Sequence, residues 1–182
     1  MKTLCVTGHR PDGLPWKKNT DSKECLSFLT ILKEYIEYAV SNDYGYFIAG
    51  GALGVDTLFA LTVIELKEKH PHIQLEIAIP CKGQEKSWSD SNKEIYNYVL
   101  SKADTVTYLA DRYYTFCMQK RNEYMVEKSD CVLCCYNGVK KGGTYNTIKL
   151  AQSKRKLLLE IDLSEKSKNG GNQMIFFKDK II

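Results

Sequence analysis

Three short stretches of this chain combine glycine with groups that hold anions. Thr7-Gly8-His9-Arg10 offers a hydroxyl, a glycine turn, an imidazole and a guanidinium. Gly50-Gly51-Ala52-Leu53-Gly54-Val55-Asp56 closes an apolar run and opens a helical pattern. Gly142-Gly143-Thr144-Tyr145-Asn146-Thr147 is a second glycine turn leading into a helix. The chemistry these types suit is phosphate binding. Glycine lets a ligand approach the backbone, and the first N–H groups of a helix have no internal partner. A helix N-terminus carries about half a positive charge, and Arg10 can grip a phosphate with two parallel hydrogen bonds. Each stretch also has a bland alternative. Gly-Gly-x-x-Gly serves where a helix merely packs tightly on a strand, Arg10 can pair with Asp12, and Gly142-Gly143 can be a plain left-handed turn.

Further polar candidates lie elsewhere. Arg121-Asn122 falls inside a helical pattern in which Met118, Asn122, Met125 and Val126 share one face. An asparagine on that apolar face needs a partner, either a ligand or a neighbouring loop backbone. Trp88 either stacks on a base or belongs to the core. Cys131-x-x-Cys134-Cys135 has the spacing of half a zinc site, but no second pair follows and the run reads as a strand, so no metal site is expected.

These residues need elements to position them. Strand candidates are Lys2 to Thr7, Tyr46 to Ala49, Ile73 to Ile79, Thr105 to Leu109, Cys131 to Tyr136 and Lys156 to Ile161. Helical spacing covers Ser22 to Ser41, Leu53 to Lys69, Asn92 to Ser101, Phe116 to Lys128 and Thr144 to Ser153. Regular alternation of strand and helix implies parallel strands joined by right-handed crossovers. The fold expected is α/β: a Rossmann-like, doubly wound, mostly parallel sheet of about six strands in a single domain. In such a sheet ligands bind outside the carboxyl ends of the strands. The loops after residues 7, 49, 79 and 136 all fall on that edge. His70-Pro71-His72 falls on the opposite edge and reads as a solvated turn.

Composition narrows the class. The 182 residues are 43% hydrophobic and 26% charged, which fits one globular domain. No apolar run approaches the ~20 residues of a membrane span, and the apolar run at the N-terminus is too short for a signal-peptide core. A cytoplasmic location and no membrane partner are expected. Seven cysteines, an odd number, fit reduced buried thiols better than a disulfide framework. A net charge of +4 allows an anionic small molecule and does not require nucleic acid. Residues 1–162 form the expected domain. Residues 163–182 read as a polar linker and tail, in which Met174 to Phe177 forms an edge strand or a docked segment.

The combination Val6-Thr-Gly-His-Arg-Pro11, Gly50-Gly-Ala-Leu-Gly-Val-Asp56, Pro80 with Gln84 and Trp88, Arg121-Asn122-x-Tyr-Met125, Ser129-Asp130 and Gly142-Gly-Thr-x-x-Thr147 resembles the YpsA-like family (the DUF1273 group) of the SLOG superfamily. The resemblance runs from residue 3 to about residue 162. It implies a nucleotide or nucleotide-derived ligand held by Gly8, His9, Arg10, Gly50, Gly51, Gly54, Asp56, Gln84, Trp88, Arg121, Asn122, Gly142, Gly143, Thr144 and Thr147. The superfamily spans phosphoribohydrolases, DprA-type DNA binders and sensors of NAD-derived nucleotides. The phosphoribohydrolases carry glutamates just after their glycine-rich motif. Here Thr144 to Gln152 contains no acid, and Lys149 stands roughly where a glutamate belongs. Asp56 and Glu85 lie on the expected edge and are the substitutes available. The expectation is a non-catalytic nucleotide-binding or sensing module with no cofactor. The alternatives are an N-glycosidic hydrolase and a DprA-like single-strand binder, and homo-oligomerisation is left open.

Overall fold

The computed structural model describes residues 1–164 and the pair 175–176. Six strands run parallel: β1 (Lys2–Gly8), β2 (Tyr44–Ala49), β3 (Gln74–Ile79), β4 (Thr105–Tyr108), β5 (Cys131–Tyr136) and β6 (Leu157–Asp162). A two-residue strand, β7 (Ile175–Phe176), adds antiparallel to β6. The expected edge strand near Met174 to Phe177 is therefore present at its centre, and the polar stretch from 165 to 172 lies outside the described residues. Among the described residues five α-helices connect the strands: α1 (Lys23–Ser41), α2 (Val55–Leu66), α3 (Asp90–Lys102), α4 (Cys117–Lys128) and α5 (Gly142–Ser153).

The strand order is β4-β3-β2-β1-β5-β6-β7. The chain winds outward from β1 to β4, then crosses back to β5 on the other side of β1. The order reverses between β1 and β5, where Thr7 pairs with Cys134 and Gly8 with Cys135. That reversal opens a crevice at the carboxyl ends of the two strands.

Two apolar layers clamp the sheet. Helices α1, α2 and α3 cover one face through Phe28, Leu32, Ile36, Val55, Phe59, Val63 and Val99, against Leu4, Val6, Phe47, Leu75, Ile77 and Leu133. Helices α4 and α5 cover the other through Met125, Val126 and Ala151, against Cys5, Ile48, Ala78, Val132 and Cys134. Alternate strand residues face the two layers, which is why the central strands are apolar on both sides. The whole of Cys131-Val-Leu-Cys-Cys-Tyr136 is buried, as its composition requires. The seven cysteines are all free and all buried.

Local chemistry sets the helix starts. The Ser22 hydroxyl accepts the Cys25 N–H at 3.2 Å and the Ser89 hydroxyl accepts that of Asn92 at 3.4 Å. Such caps satisfy N–H groups that the helix itself cannot. Helix α2 starts differently. Gly54 caps it with φ +95°, and the carbonyl of His9 accepts the Val55 N–H at 3.2 Å. The start of α2 is thus stitched to the loop after β1.

One buried charge on the α4 face anchors that helix. Glu76 is fully buried in β3 and accepts from Tyr46 Oη (2.8 Å), Thr107 Oγ1 (2.7 Å), Tyr124 Oη (2.7 Å) and Lys128 Nζ (2.7 Å). Burial pushes its carboxyl up, but the Lys128 ammonium and the three hydroxyls outweigh this and hold it below the usual carboxylate range. The network pins the C-terminal half of α4 to the sheet, and so sets where the rest of α4 lies.

Candidate functional site

A cavity of about 360 Å³ opens at the crevice between β1 and β5. Three chain segments expected on this edge meet there. The β1 end gives Thr7, Gly8, His9 and Arg10, the β2–α2 turn gives Ala52, Leu53 and Asp56, and α5 gives Gly143 and Thr144. Helix α4 completes the wall with Met118, Arg121, Asn122 and Met125. Met118, Asn122 and Met125 are three of the four residues that helical spacing places on one face.

The floor of the site is a buried ion pair. Arg121 Nη1 lies 3.3 Å from Asp56 Oδ2 and donates to the carbonyl of Gly50. Its Nε donates to Asn122 Oδ1 at 2.8 Å, and Asp56 Oδ2 also accepts the Ala52 N–H at 3.2 Å. Burial pushes the Asp56 carboxyl up, opposed by the Arg121 guanidinium. Burial likewise pushes Arg121 down, opposed by Asp56. Guanidinium does not lose its proton in proteins, so Arg121 keeps its charge and favours the ionised form of Asp56.

Glycine at position 50 follows from this pair. A Cβ there would overlap Nη1 of Arg121 and lie 2.6 Å from Asp56 Oδ2. Gly51, at φ +64°, turns its Cβ position to within 2.9 Å of Ile77 Cγ2. Neither glycine lines the cavity, and both answer contacts inside the protein. Gly54 is also internal, with its Cβ position 2.5 Å from the His9 carbonyl. Gly8 does line the cavity, although close packing on Val55 already excludes a side chain there.

The second glycine turn behaves differently. A Cβ at Gly142 or Gly143 would meet nothing within 4 Å. Lys141 caps α5 without any side-chain hydrogen bond. A side chain at either glycine would face open space, and the Lys141 side chain caps none of the first N–H groups of α5. Thr144 is buried at the cavity wall. Thr147 sits behind it, donating to the Gly143 carbonyl and accepting from Asn122 Nδ2, both at 2.9 Å. Asn122 thus finds its partners in the side chains of Arg121 and Thr147 rather than in a loop backbone.

Arg10 is exposed and forms no ion pair with Asp12 or with any other described residue. Asp56 pairs with Arg121, and Arg10 acts on it only from beyond ion-pair distance, so Arg10 is the lining cation that no carboxylate holds. His9 is half-buried, and burial lowers its pKa. Gln84 and Trp88 lie outside the cavity. Gln84 Nε2 donates to the Gly51 carbonyl at 3.1 Å and to Tyr96 Oη at 3.3 Å, which braces the first glycine turn. Trp88 packs edge-on against Tyr96 with ring centroids 5.3 Å apart. Glu85 does not line the cavity either. Val6, Gly13, Ala52, Leu53, Met118 and Met125 also line the cavity without having been expected to hold a ligand, since small and apolar types carry no chemical signal.

No helix among the described residues is long and apolar enough to cross a membrane. No cluster of three or more His, Cys, Asp or Glu able to hold a metal occurs among them.

The chain is 31% identical over 157 residues to a UPF0398 protein of Bacillus thuringiensis (strain Al Hakam), covering 85% of this chain and 84% of the relative. A UPF0398 protein of Bacillus cereus (strain AH187) gives the same identity and coverage. The model of the YspA SLOG family matches residues 4–164, which include β1 from Leu4 onward, every element from β2 to β6 and the whole cavity. The chain therefore belongs to the YspA SLOG family.

Proposed function

We propose that this protein is a non-catalytic nucleotide-binding or nucleotide-sensing module whose ligand is a nucleoside phosphate or an NAD/ADP-ribose-type molecule. The observation that carries this reading is Arg10. It is an exposed guanidinium that no carboxylate holds, in the same cavity as the first turn of α5, which the Lys141 side chain does not cap. A guanidinium, a helix N-terminus and the Thr144 hydroxyl together form a phosphate-binding set. Val6, Leu53, Met118 and Met125 supply an apolar wall for a base or a sugar face. Membership of the SLOG family is consistent with a nucleotide-related role.

Catalysis finds less support. N-glycosidic hydrolysis needs a carboxylate near the sugar. Asp56 is the one carboxylate lining the cavity, and it already holds Arg121 and the Ala52 N–H. A hydrolase remains the second reading because of that same residue. Asp56 lines the right cavity, and its burial perturbs the carboxyl as at many catalytic positions.

Incubation with AMP, NAD and ADP-ribose, following melting temperature and product together, separates the readings. A ligand at a hundredfold excess over Kd stabilises by about 2.7 kcal/mol, or roughly 5–11 °C for a domain of this size. Stabilisation without turnover supports the module. Release of a free base moves the assignment to the hydrolase. No stabilisation by any of the three, with salt-sensitive binding of single-stranded oligonucleotides, overturns the reading in favour of a nucleic-acid binder.

A further inference from the structure

His9 is held from three sides. Its Nε2 accepts the backbone N–H of Asn137 at 3.2 Å, across the mouth of the crevice from the end of β5. Its ring stacks on Tyr136, with centroids 5.8 Å apart and planes 19° from parallel. The Asn137 side chain also donates to the Gly13 carbonyl at 3.4 Å, which ties the β1 loop around the ring. Such a clamp leaves the imidazole little freedom to turn.

The clamp also fixes chemistry. A neutral imidazole has one nitrogen that donates and one that accepts. Nε2 accepts from Asn137, so the proton belongs on Nδ1. No hydrogen bond from Nδ1 occurs among the described residues. The Nδ1 edge lies against Gly13, where a Cβ would sit 3.2 Å from it, and both residues line the cavity. Gly13 is exposed and has no side chain to cover that edge. Burial lowers the His9 pKa and outweighs the Asn137 side chain, which favours the protonated ring, so the neutral form is favoured at neutral pH.

We propose that His9 is the specificity-determining donor of this cavity: a neutral ring held as the Nδ1–H tautomer, offering that N–H to an acceptor oxygen of the bound ligand. Arg10 selects for negative charge. His9 adds a directional requirement that an ion alone does not meet. It calls for a phosphate, sugar or carbonyl oxygen at a fixed place beside the β1 loop. The ligand half of this proposal rests on the nucleotide reading above, whereas the tautomer belongs to the protein alone.

The test begins on the ligand-free protein. Long-range ¹H–¹⁵N correlation at neutral pH reports which ring nitrogens carry protons. The three histidines are distinguished by the signals that vanish in His9→Asn. The expected result is a protonated Nδ1 and a bare Nε2. A protonated Nε2, a doubly protonated ring or a tautomeric average overturns the proposal. The second arm uses whichever of AMP, NAD or ADP-ribose stabilises the parent most. Asparagine keeps an N–H near the Nδ1 position, and glutamine moves its amide out to the Nε2 position. His9→Asn is expected to bind within about threefold of the parent and His9→Gln about tenfold worse. Equal losses, or the reverse order, overturn the donor role. If none of the three nucleotides binds the parent, the nucleotide reading falls, and the ring state of the ligand-free protein still decides this proposal. If His9→Asn unfolds the chain, His70→Asn and His72→Asn assign the other two rings and the remaining one is His9.

Discussion

Replacing Gly50 with alanine adds one methyl group at the most constrained point of the site. The backbone of Gly50 has no positive φ, so alanine meets no conformational penalty there. The cost comes from space alone. The new Cβ would overlap Nη1 of Arg121 and press to 2.6 Å from Asp56 Oδ2. Arg121 is only 7% exposed and has no room to retreat. It must give up the Gly50 carbonyl and Asp56, leaving a buried carboxylate without its cation. Breaking a buried pair in this way costs about 3–5 kcal/mol. For a domain of this size that is a fall of roughly 6–20 °C in melting temperature. Urea unfolding with calorimetry measures it. Gly143→Ala is the control, because its Cβ would meet nothing within 4 Å and should leave stability unchanged or slightly raised. The double variant Gly50→Ala, Arg121→Met isolates the cause, since most of the penalty should vanish beside Arg121→Met, leaving only the contact with Asp56. If Gly50→Ala lies within about 0.5 kcal/mol of the parent, or if its penalty persists in full beside Arg121→Met, the buried pair does not explain the glycine.

Further outcomes follow from single contacts. Arg10→Ala should lose one charge-assisted contact, about 1.5–3 kcal/mol or roughly ten- to hundredfold in affinity for the best nucleotide by calorimetry. The ligand-free melting temperature should not move, since Arg10 has no ion-pair partner among the described residues. Glu76→Gln should cost about 1–3 kcal/mol at neutral pH. The folded carboxyl of Glu76 titrates below its ordinary 4.5, so its contribution is complete above that pH and fades as pH falls through the folded value. The stability gap between parent and variant should therefore narrow in acid, and a constant gap from neutral to acid would contradict the network. Burial raises the thiol pKa to about 12 for Cys5 and Cys131 and pushes up those of Cys134 and Cys135 as well. Iodoacetamide at mildly alkaline pH should thus leave these four unmodified in the native protein and label them after denaturation, as read by intact mass.

Much of the fold is written locally. The run Cys131 to Tyr136 can be nothing but a doubly buried strand, and Ser22 announces α1 by its capping chemistry. Boundaries shift where a tertiary contact intervenes. Helical spacing suggests α2 from Leu53, yet it begins at Val55 because Gly54 turns at φ +95° and the His9 carbonyl takes the Val55 N–H. At its other end α2 stops at Leu66 rather than Lys69, where a turn returns the His70 N–H to the Leu66 carbonyl at 2.8 Å. The meeting of three distant loops was also legible, since parallel strands bring their carboxyl ends to one edge. The role of each glycine was not. Gly50 and Gly51 have the spacing of a phosphate turn, but one makes room for an arginine 71 positions away and the other packs beside Ile77. No local pattern encodes that pairing. Gly51→Val should therefore destabilise the fold as well as the site, because a β-branched residue at φ +64° strains the turn itself.

The central claim is that the crevice between β1 and β5 holds a nucleotide. The most direct measurement is an amide correlation titration of the labelled protein with AMP and ADP-ribose. The largest shifts should fall on Gly8, His9, Arg10, Gly143 and Thr144, whose residues line the one cavity from two ends of the chain. A separate cavity of about 330 Å³, walled by Trp16, Phe28 and Ile31, provides the internal comparison. Saturable shifts at the crevice, with that second cavity silent, are the predicted result. Shifts confined to Trp16 and Phe28, or none at all at millimolar nucleotide, would contradict it.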